Sequence, residues 1–434
     1  MANPPIPAVI ALCNAPALGK AGDRPWADIE RGNVGRGAVL FYAPAPHGGI
    51  AVHVHYQARE LARRGFAVEV LCRPDFFQPA DSADYRQTRR LIAVRGSGIV
   101  AKAGRVLAEI ANRYILAWSI LRRRPQFVVW EANSEYFAPA WFAPLWLLRR
   151  LGGVVTLANF HDPLRERRRG PRWFHDLTVR LAYAPLDGGL IHGPVPPGAW
   201  LPARLTLREA PFGPFGPFDE LSGDDLIGTA PSFDLRARLG IPGDAFVLLA
   251  FGHIADRKNL DLAIAALAQV PEVQLVIAGS VASGRDKPAA FYVAEAARLH
   301  VSERVHLVTG FIAEADIAAY FAAADAVALT YERGFVSQSG VLQIAALWDR
   351  PLLASGGAGP LIATVRQFGL GLVVEPDSIP AIAEGLARLV AERPVLGDNF
   401  RRYRETTSWS VNIDRMLEAY EAARTARGLA NSAP

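Results

Sequence analysis

Four short stretches hold residue types that could do chemistry together. In "AFGHIADRKNLDLAI", Gly252 closes an apolar run and is followed by His253, Arg257 and Lys258. Two cations just past a strand suit a diphosphate, lysine as a point charge and arginine as a two-pronged fork; a solvated basic turn is the plain alternative. Only four lysines occur, Lys20, Lys102, Lys258 and Lys287, so one placed here weighs toward a functional turn. In "SQSGVLQIAALW", Ser339, Gly340 and Val341 open a helix that carries no charge as far as Trp348. Such a start suits an anion, and a core helix with a polar first turn reads the same way. In "APAPHGGIAVHVHYQARELARRG", Gly48 and Gly49 stand between strand and helix, where glycine lets a backbone approach a phosphate. A purely structural turn fits equally, and the G-x-G-x-x-G fingerprint is absent. In "LANFHDPLRERRRGPRW", His161 and Asp162 follow an apolar strand. The imidazole can donate a hydrogen bond, accept a proton or bind a metal, or be structural; side chains adjacent in sequence diverge, so the two need not pair. Arg165, Arg167, Arg168, Arg169 and Arg172 form either a solvated face or a contact for phosphate on an acceptor or a lipid headgroup.

The elements that must hold these residues alternate between strand and helix. Apolar runs at 38–43, 66–72, 126–130, 153–159 and 187–192 predict buried strands. Ile50, Val54, Ala58 and Leu61 recur at helical spacing, with His53, Gln57, Glu60 and Arg64 on another face. Pro and Gly crowd residues 193–232, which predicts a linker. The pattern then restarts, with strands at 245–252, 273–279, 304–310, 325–331, 351–355 and 370–375, helices at 316–323 and 379–390, and a last amphipathic helix. This is an α/β arrangement with two doubly wound sheets. Ligands bind such sheets beyond the carboxyl ends of the strands, which puts the site in an interdomain cleft. The division expected is an extension over 1–36, a first domain over 37–220, a second over 221–399, and a C-terminal helix over 400–434 packing back toward the first domain.

The 434 residues suffice for two or three domains, and 51% hydrophobic with 21% charged residues describes a globular chain. The two cysteines, Cys13 and Cys72, imply no disulfide framework or cysteine metal site and fit a reducing cytoplasm. The apolar N-terminal run is broken by prolines and lacks a basic leader, so it reads as an extension rather than a signal peptide. No run of eighteen apolar residues predicts a spanning helix. Residues 1–220 hold 28 Lys and Arg against 18 Asp and Glu, and the remainder 19 against 24. A basic first half points to an anionic surface or partner, or to an ordinary solvated face. Trp141, Phe142, Leu145, Trp146 and Leu148, followed by Arg149 and Arg150, suit either a membrane interface or a core helix. No H-E-x-x-H, G-x-S-x-G or P-loop is present, and the strand-end carboxylates Glu131, Asp162, Glu332 and Glu375 are scattered.

Taken in order, "HGGIAVHVHYQARELARRGFAVEVL", "HDP", "GHIADRKNLDLAI", "VHLVTGFIAEADIAAYFAAADAVAL", "SQSGVLQIAALWDRPLLAS" and "VVEPDSIPAIAEGLARLV" resemble glycosyltransferase family 4, the retaining sugar transferases of GT-B fold, over roughly residues 37–425. The resemblance implies a nucleotide-diphosphate sugar donor, a glycan or lipid-linked hydroxyl acceptor, no metal or other cofactor, and no nucleic-acid partner. It implies that Lys258 binds the diphosphate and that Ser339, Gly340 and Val341 cradle the distal phosphate. Gly252 and His253 line that turn; relatives often carry an arginine where this chain has His253, and Arg257 is the available substitute. Phe311 and Ile312 would lie near the base, Gly48 and Gly49 would close on the phosphates, and His161 would contact the transferred sugar. The pathway implied is cell-surface polysaccharide or glycolipid assembly, from the cytoplasm and in peripheral contact with an anionic membrane. One departure stands out: many relatives carry two glutamates, where this chain has Val336 and Ile344. Gln343 or Glu332 is a candidate replacement. A non-catalytic scaffold and a nucleotide-sugar epimerase therefore stay open.

Overall fold

The computed structural model describes residues 37–77, 84–96, 98–131, 135–161, 170–193, 195, 198–213 and 231–429. Seven strands form a first sheet in the order β3-β2-β1-β4-β5-β6-β7: β1 Ala38–Ala43, β2 Ala67–Cys72, β3 Arg86–Arg89, β4 Phe127–Trp130, β5 Val155–Phe160, β6 Gly188–Ile191 and β7 Thr206–Glu209. Six form a second sheet in the order β10-β9-β8-β11-β12-β13: β8 Phe246–Phe251, β9 Val273–Gly279, β10 Val305–Thr309, β11 Ala326–Thr330, β12 Leu352–Ser355 and β13 Gly371–Val373. Every pairing is parallel. The central strands read as continuous apolar runs because helices cover both faces of each sheet.

The strand order reverses between β1 and β4 in the first sheet and between β8 and β11 in the second. At such a reversal the following helices go to opposite faces, leaving a crevice at the carboxyl ends of the two strands. The exits of β1 and β8 carry Gly48 and Lys258; the exits of β4 and β11 carry Glu131 and Ser339. The two crevices are brought together by apolar contact. Val52 and Tyr56, on the Gly49–Arg63 helix, gather with Phe212, Trp409 and Ile344 of the Gly340–Ala345 helix. Beyond the neighbouring strands, Gly193 has φ +150, and a Cβ built on it would stand 2.7 Å from Pro360, so the two halves meet backbone to ring there.

The C-terminal helix Trp409–Ala426 packs on β5, β6, β7 and the Gly49–Arg63 helix. Its residues Ile413, Met416, Ala419, Tyr420 and Ala423 belong to the core of the first sheet. Trp409 stacks on Tyr56 at 5.2 Å and 19°, and Gly213 lies so near that a Cβ would meet the indole ring at 2.6 Å. Polar bonds fix the rotation of the helix: Gln57 Nε2 donates to Asn412 Oδ1 at 2.8 Å, and Arg64 Nη2 to Ser410 Oγ at 2.7 Å.

The strand β7 falls inside the Pro- and Gly-rich stretch read as a linker, and β3 in a stretch not read as a strand at all. Both are edge strands built from polar residues, RQTR and TLRE, so neither shows the apolar run that marks a central strand. Among the described residues no helix is long and apolar enough to cross a membrane. Cys72 is free and fully buried, and burial pushes its thiol up to about 12, so it is chemically quiet.

If the last helix is part of the first domain's core, damage to it unfolds that domain. Ile413 is fully buried, and Ile413→Ala is expected to lower the stability of the first domain by about 2–5 kcal/mol. Urea unfolding followed by Trp fluorescence checks this. An unchanged first-domain midpoint would contradict the packing described.

Candidate active site

The second-domain half of the site is one continuous set of contacts. Where β8 ends, Gly252 has φ +87, and a Cβ there would lie 3.5 Å from Val341 and 3.7 Å from Lys258 Nζ. Lys258 is drawn inward, its Nζ donating to the Phe251 carbonyl at 2.7 Å. Its own carbonyl accepts from Thr330 Oγ1 at 2.9 Å, and the Arg257 carbonyl accepts from the Glu332 amide at 2.9 Å. These bonds tie the β8 exit to the β11 exit. The Arg257 guanidinium lies over the Phe335 ring at 5.8 Å; Phe335 stacks on Tyr331 at 3.8 Å; and the Tyr331 hydroxyl shares a 3.0 Å hydrogen bond with Ser339 Oγ. Gly252, Arg257, Lys258, Ser339 and Val341, picked out separately in the sequence, thus stand in one cluster, with Gly340 opening the helix beside them.

Charge in this cluster is concentrated and partly suppressed. Burial, then the neighbouring Arg257, brings the Lys258 ammonium from its ordinary 10.5 down to about 7. His253 sits below its ordinary value through burial and the charges of Lys258 and Arg257, so it is neutral where relatives often carry an arginine. Ser339 caps its helix through the backbone only. Its Oγ is taken by Tyr331, and its N–H donates to Gln338 Oε1 at 3.0 Å. Gln338 is itself anchored, Nε2 donating to Thr364 Oγ1 at 3.2 Å. The amide expected to cradle a phosphate therefore already has an acceptor.

Other expected members lie apart or are otherwise employed. Phe311 and Ile312 follow β10, two strands from β8, which is roughly 10 Å at the usual inter-strand spacing. Phe311 is 90% exposed, while Ile312 packs against the core. Gln343, a candidate for the lost polar contact, is buried and its Nε2 donates to the Tyr403 hydroxyl at 2.7 Å. Glu332 is exposed. Val336 lines a pocket of 510 Å³ with Arg333, Gly357, Arg366 and Glu375, and Ile344 faces the seam between the halves.

The first-domain half contains a group that the sequence scattered. Gly48, with φ +83, and Gly49 are exposed, and a Cβ on either meets nothing within 4 Å. Behind them, His53 Nδ1 lies 3.2 Å and His161 Nε2 3.3 Å from the same oxygen of Glu131, Oε2. The other carboxylate oxygen accepts from Asn159 Nδ2, which also donates to Gln57 Oε1 at 2.9 Å. His192 Nδ1 donates to the Ala210 carbonyl at 2.9 Å, and its ring stacks on His161 at 5.0 Å and 22°. Burial alone would raise the Glu131 pKa, but the hydrogen bonds and charge of His161 and His53 prevail and hold it at about 2. Burial lowers His53, against the pull of Glu131, and lowers His192 further. Among the described residues, the donor atoms of His53, Glu131 and His161 lie within 4.8 Å of one another, a set that can accept a metal ion. Asp162 and Arg165, Arg167, Arg168 and Arg169 lie outside the described residues.

Two doubly wound sheets with a cationic turn at one switch point and a histidine cluster at the other form the GT-B arrangement. The profile for glycosyl transferases group 1 matches residues 232–406, and that for Glycosyltransferase Family 4 matches residues 47–187. D-inositol 3-phosphate glycosyltransferases of Mycobacterium bovis and Mycobacterium tuberculosis are 30% identical over 409 residues, covering 87% of this chain and 79% of theirs. The chain belongs to glycosyltransferase family 4. Among solved structures, sucrose-phosphate synthase from Thermosynechococcus elongatus superposes with a TM-score of 0.66 at 20% identity, over 90% of this chain and 100% of that one. HepE from Anabaena, solved with UDP, gives 0.66 at 17% identity, over 89% and 100%.

A lysine whose folded pKa lies near 7 against 10.5 unfolded costs stability while it is forced to carry charge, fully below about pH 7 and progressively less toward 10.5. Lys258→Met is therefore expected to raise the melting temperature at neutral and lower pH, with a gain that shrinks as pH rises. A melting series from pH 6 to about 10 reads this; a pH-independent difference would contradict it.

Proposed function

We propose that this glycosyltransferase moves a sugar from a nucleotide-diphosphate donor to a hydroxyl acceptor with retention of anomeric configuration, in the assembly of a cell-surface glycan or glycolipid. The observation that carries the reading is the convergence of Lys258, Arg257, Gly252 and the Ser339 helix start at the second switch point, facing His161 and the Gly48–Gly49 turn from the first. A leaving diphosphate needs fixed positive charge and aligned donors, and these supply both with no metal asked of the protein. The acceptor hydroxyl loses its proton to the departing phosphate oxygen as the new glycosidic bond forms on the face the diphosphate leaves. His161 contacts the sugar. The base lies toward Phe311 and Ile312, two strands from Lys258. Gly48 and Gly49, where a Cβ meets nothing within 4 Å, leave room for the phosphates.

Transfer from a panel of nucleotide sugars to a native lipid extract tests the reading. Lys258→Ala is expected to weaken nucleoside-diphosphate binding by roughly 10- to 150-fold, the worth of one charged hydrogen bond. Gly49→Ala separates function from structure. Its Cβ enters open space at the first helical turn, where alanine is favoured over glycine by up to about 1 kcal/mol, so the fold is kept while donor turnover falls. Product NMR reads the anomeric configuration. No transfer and no nucleotide binding by the wild-type chain would refute the proposal.

The acceptor is lipid-linked and met at the cytoplasmic face of an anionic membrane. In support, the Ile99–Arg123 helix exposes Val100, Leu107, Tyr114, Trp118 and Leu121 along one stripe, next to Arg122. Trp146, Leu147 and Leu151 of the adjoining Ala138–Leu151 helix are also exposed, with Arg150 over the Trp146 ring. Trp141 and Leu145, singled out in the sequence, are instead buried in the core of the first sheet. Apolar residues flanked by arginines on a basic domain suit an anionic interface. Trp118→Glu with Leu121→Glu is expected to abolish sedimentation with phosphatidylglycerol vesicles and leave nucleotide binding intact; retained sedimentation would refute the contact.

A further inference from the structure

Glu131 plays no part in the transfer as described so far, yet it is the junction of the histidine cluster. It leaves β4 at the first-domain switch point, and its side chain is 0% exposed, as is that of His53; His161 keeps 16%. An ionised carboxylate can only accept hydrogen bonds. Both imidazoles must therefore present an N–H to Oε2, His53 from Nδ1 and His161 from Nε2. That choice fixes the tautomer of His161 and leaves Nδ1 as the nitrogen through which it meets a ligand. The ring plane is fixed as well. His192 stacks on one side at 5.0 Å, Phe212 lies at 5.7 Å and 26°, and the edge of His53 stands at 4.9 Å and 85°. The carboxylate is held in turn by Asn159, Asn159 by Gln57, and Gln57 by Asn412 of the C-terminal helix. The network runs through buried groups and ends on one partly open imidazole.

We infer that Glu131 is a positioning residue for sugar transfer: it holds His161 as the Nε2–H tautomer with Nδ1 turned to the donor sugar, and His53 shares the carboxylate so that the proton stays on His161. The inference rests on the transfer reading above. Glu131 stays ionised throughout, and no bond to it is made or broken. Its negative charge beside Nε2 makes Nδ1 a better acceptor for a sugar hydroxyl, and no proton is transferred to the ring. Among the described residues, the other titratable groups packed against His161 are His53, Glu131 and His192.

Glu131→Gln keeps the shape and turns one acceptor into a donor. We expect kcat to fall about 10²-fold, the scale of a misplaced group at the reacting centre, while KM for the donor and the Kd for UDP change by less than about threefold. Glu131→Asp, which keeps the charge, recovers part of the rate. Nitrogen NMR of labelled histidines shows His161 as Nε2–H in the wild type and mixed in Glu131→Gln. The inference is overturned if Glu131→Gln keeps kcat within about threefold, if UDP binding falls in parallel with the rate, or if the His161 tautomer is unchanged. Stoichiometric metal that copurifies with the wild type and is lost in Glu131→Gln overturns it too, since the three residues would then be ligands. If the wild-type chain transfers no sugar, the functional reading fails, and the tautomer measurement still decides the role of Glu131.

Discussion

The geometry of this glycosyltransferase depends on one act of packing: the C-terminal helix leaves the second domain and completes the core of the first. Ile413, Met416 and Tyr420 bury themselves under the first sheet, and Trp409 lies on Tyr56 at the point where the helices following β1 and β11 meet. A linker alone would hold the halves at a loose distance. With the chain crossing twice, the cationic turn of one half and the histidine cluster of the other are set by side-chain packing. The same helix reaches the histidine cluster through Asn412, Gln57 and Asn159.

Much of this was legible in the sequence. Central parallel strands are buried on both faces, so they appear as short apolar runs, and eleven of them were read within a residue or two of β1, β2, β4, β5, β6 and β8–β13. Once the strand order is known, the switch-point rule explains why Lys258 and Ser339, 81 residues apart in the chain, stand together. The edge strands of the first sheet were illegible because RQTR and TLRE bury little. The helix expected over 339–348 stops at Ala345, where Asp349, with φ +50, turns the chain toward β12.

The histidine cluster was illegible for a different reason. Glu131 is 78 residues from His53 and 30 from His161, and nothing local announces such a partnership. A faint signal did exist: His53 and Gln57 lie one turn apart on a helix face assigned to polar residues, yet both are wholly buried. Polar groups survive in a core only when paired. The two apolar positions, Val336 and Ile344, have become lining and seam, and the buried amide of Gln343 serves Tyr403.

If the Ser339 turn takes a phosphate, as proposed, the side chain of Gln338 makes it selective. Because its Oε1 already accepts from the Ser339 amide, an incoming anion gains only the difference between a charged and a neutral hydrogen bond. With roughly 1.5–3 kcal/mol for the first and 0.5–1.5 for the second, a small monoanion that touches little else scarcely breaks even. A diphosphate that also engages Lys258 and Arg257 wins the exchange. On that reading the glutamine acts as a threshold, keeping the turn from filling with the simple anions that surround it.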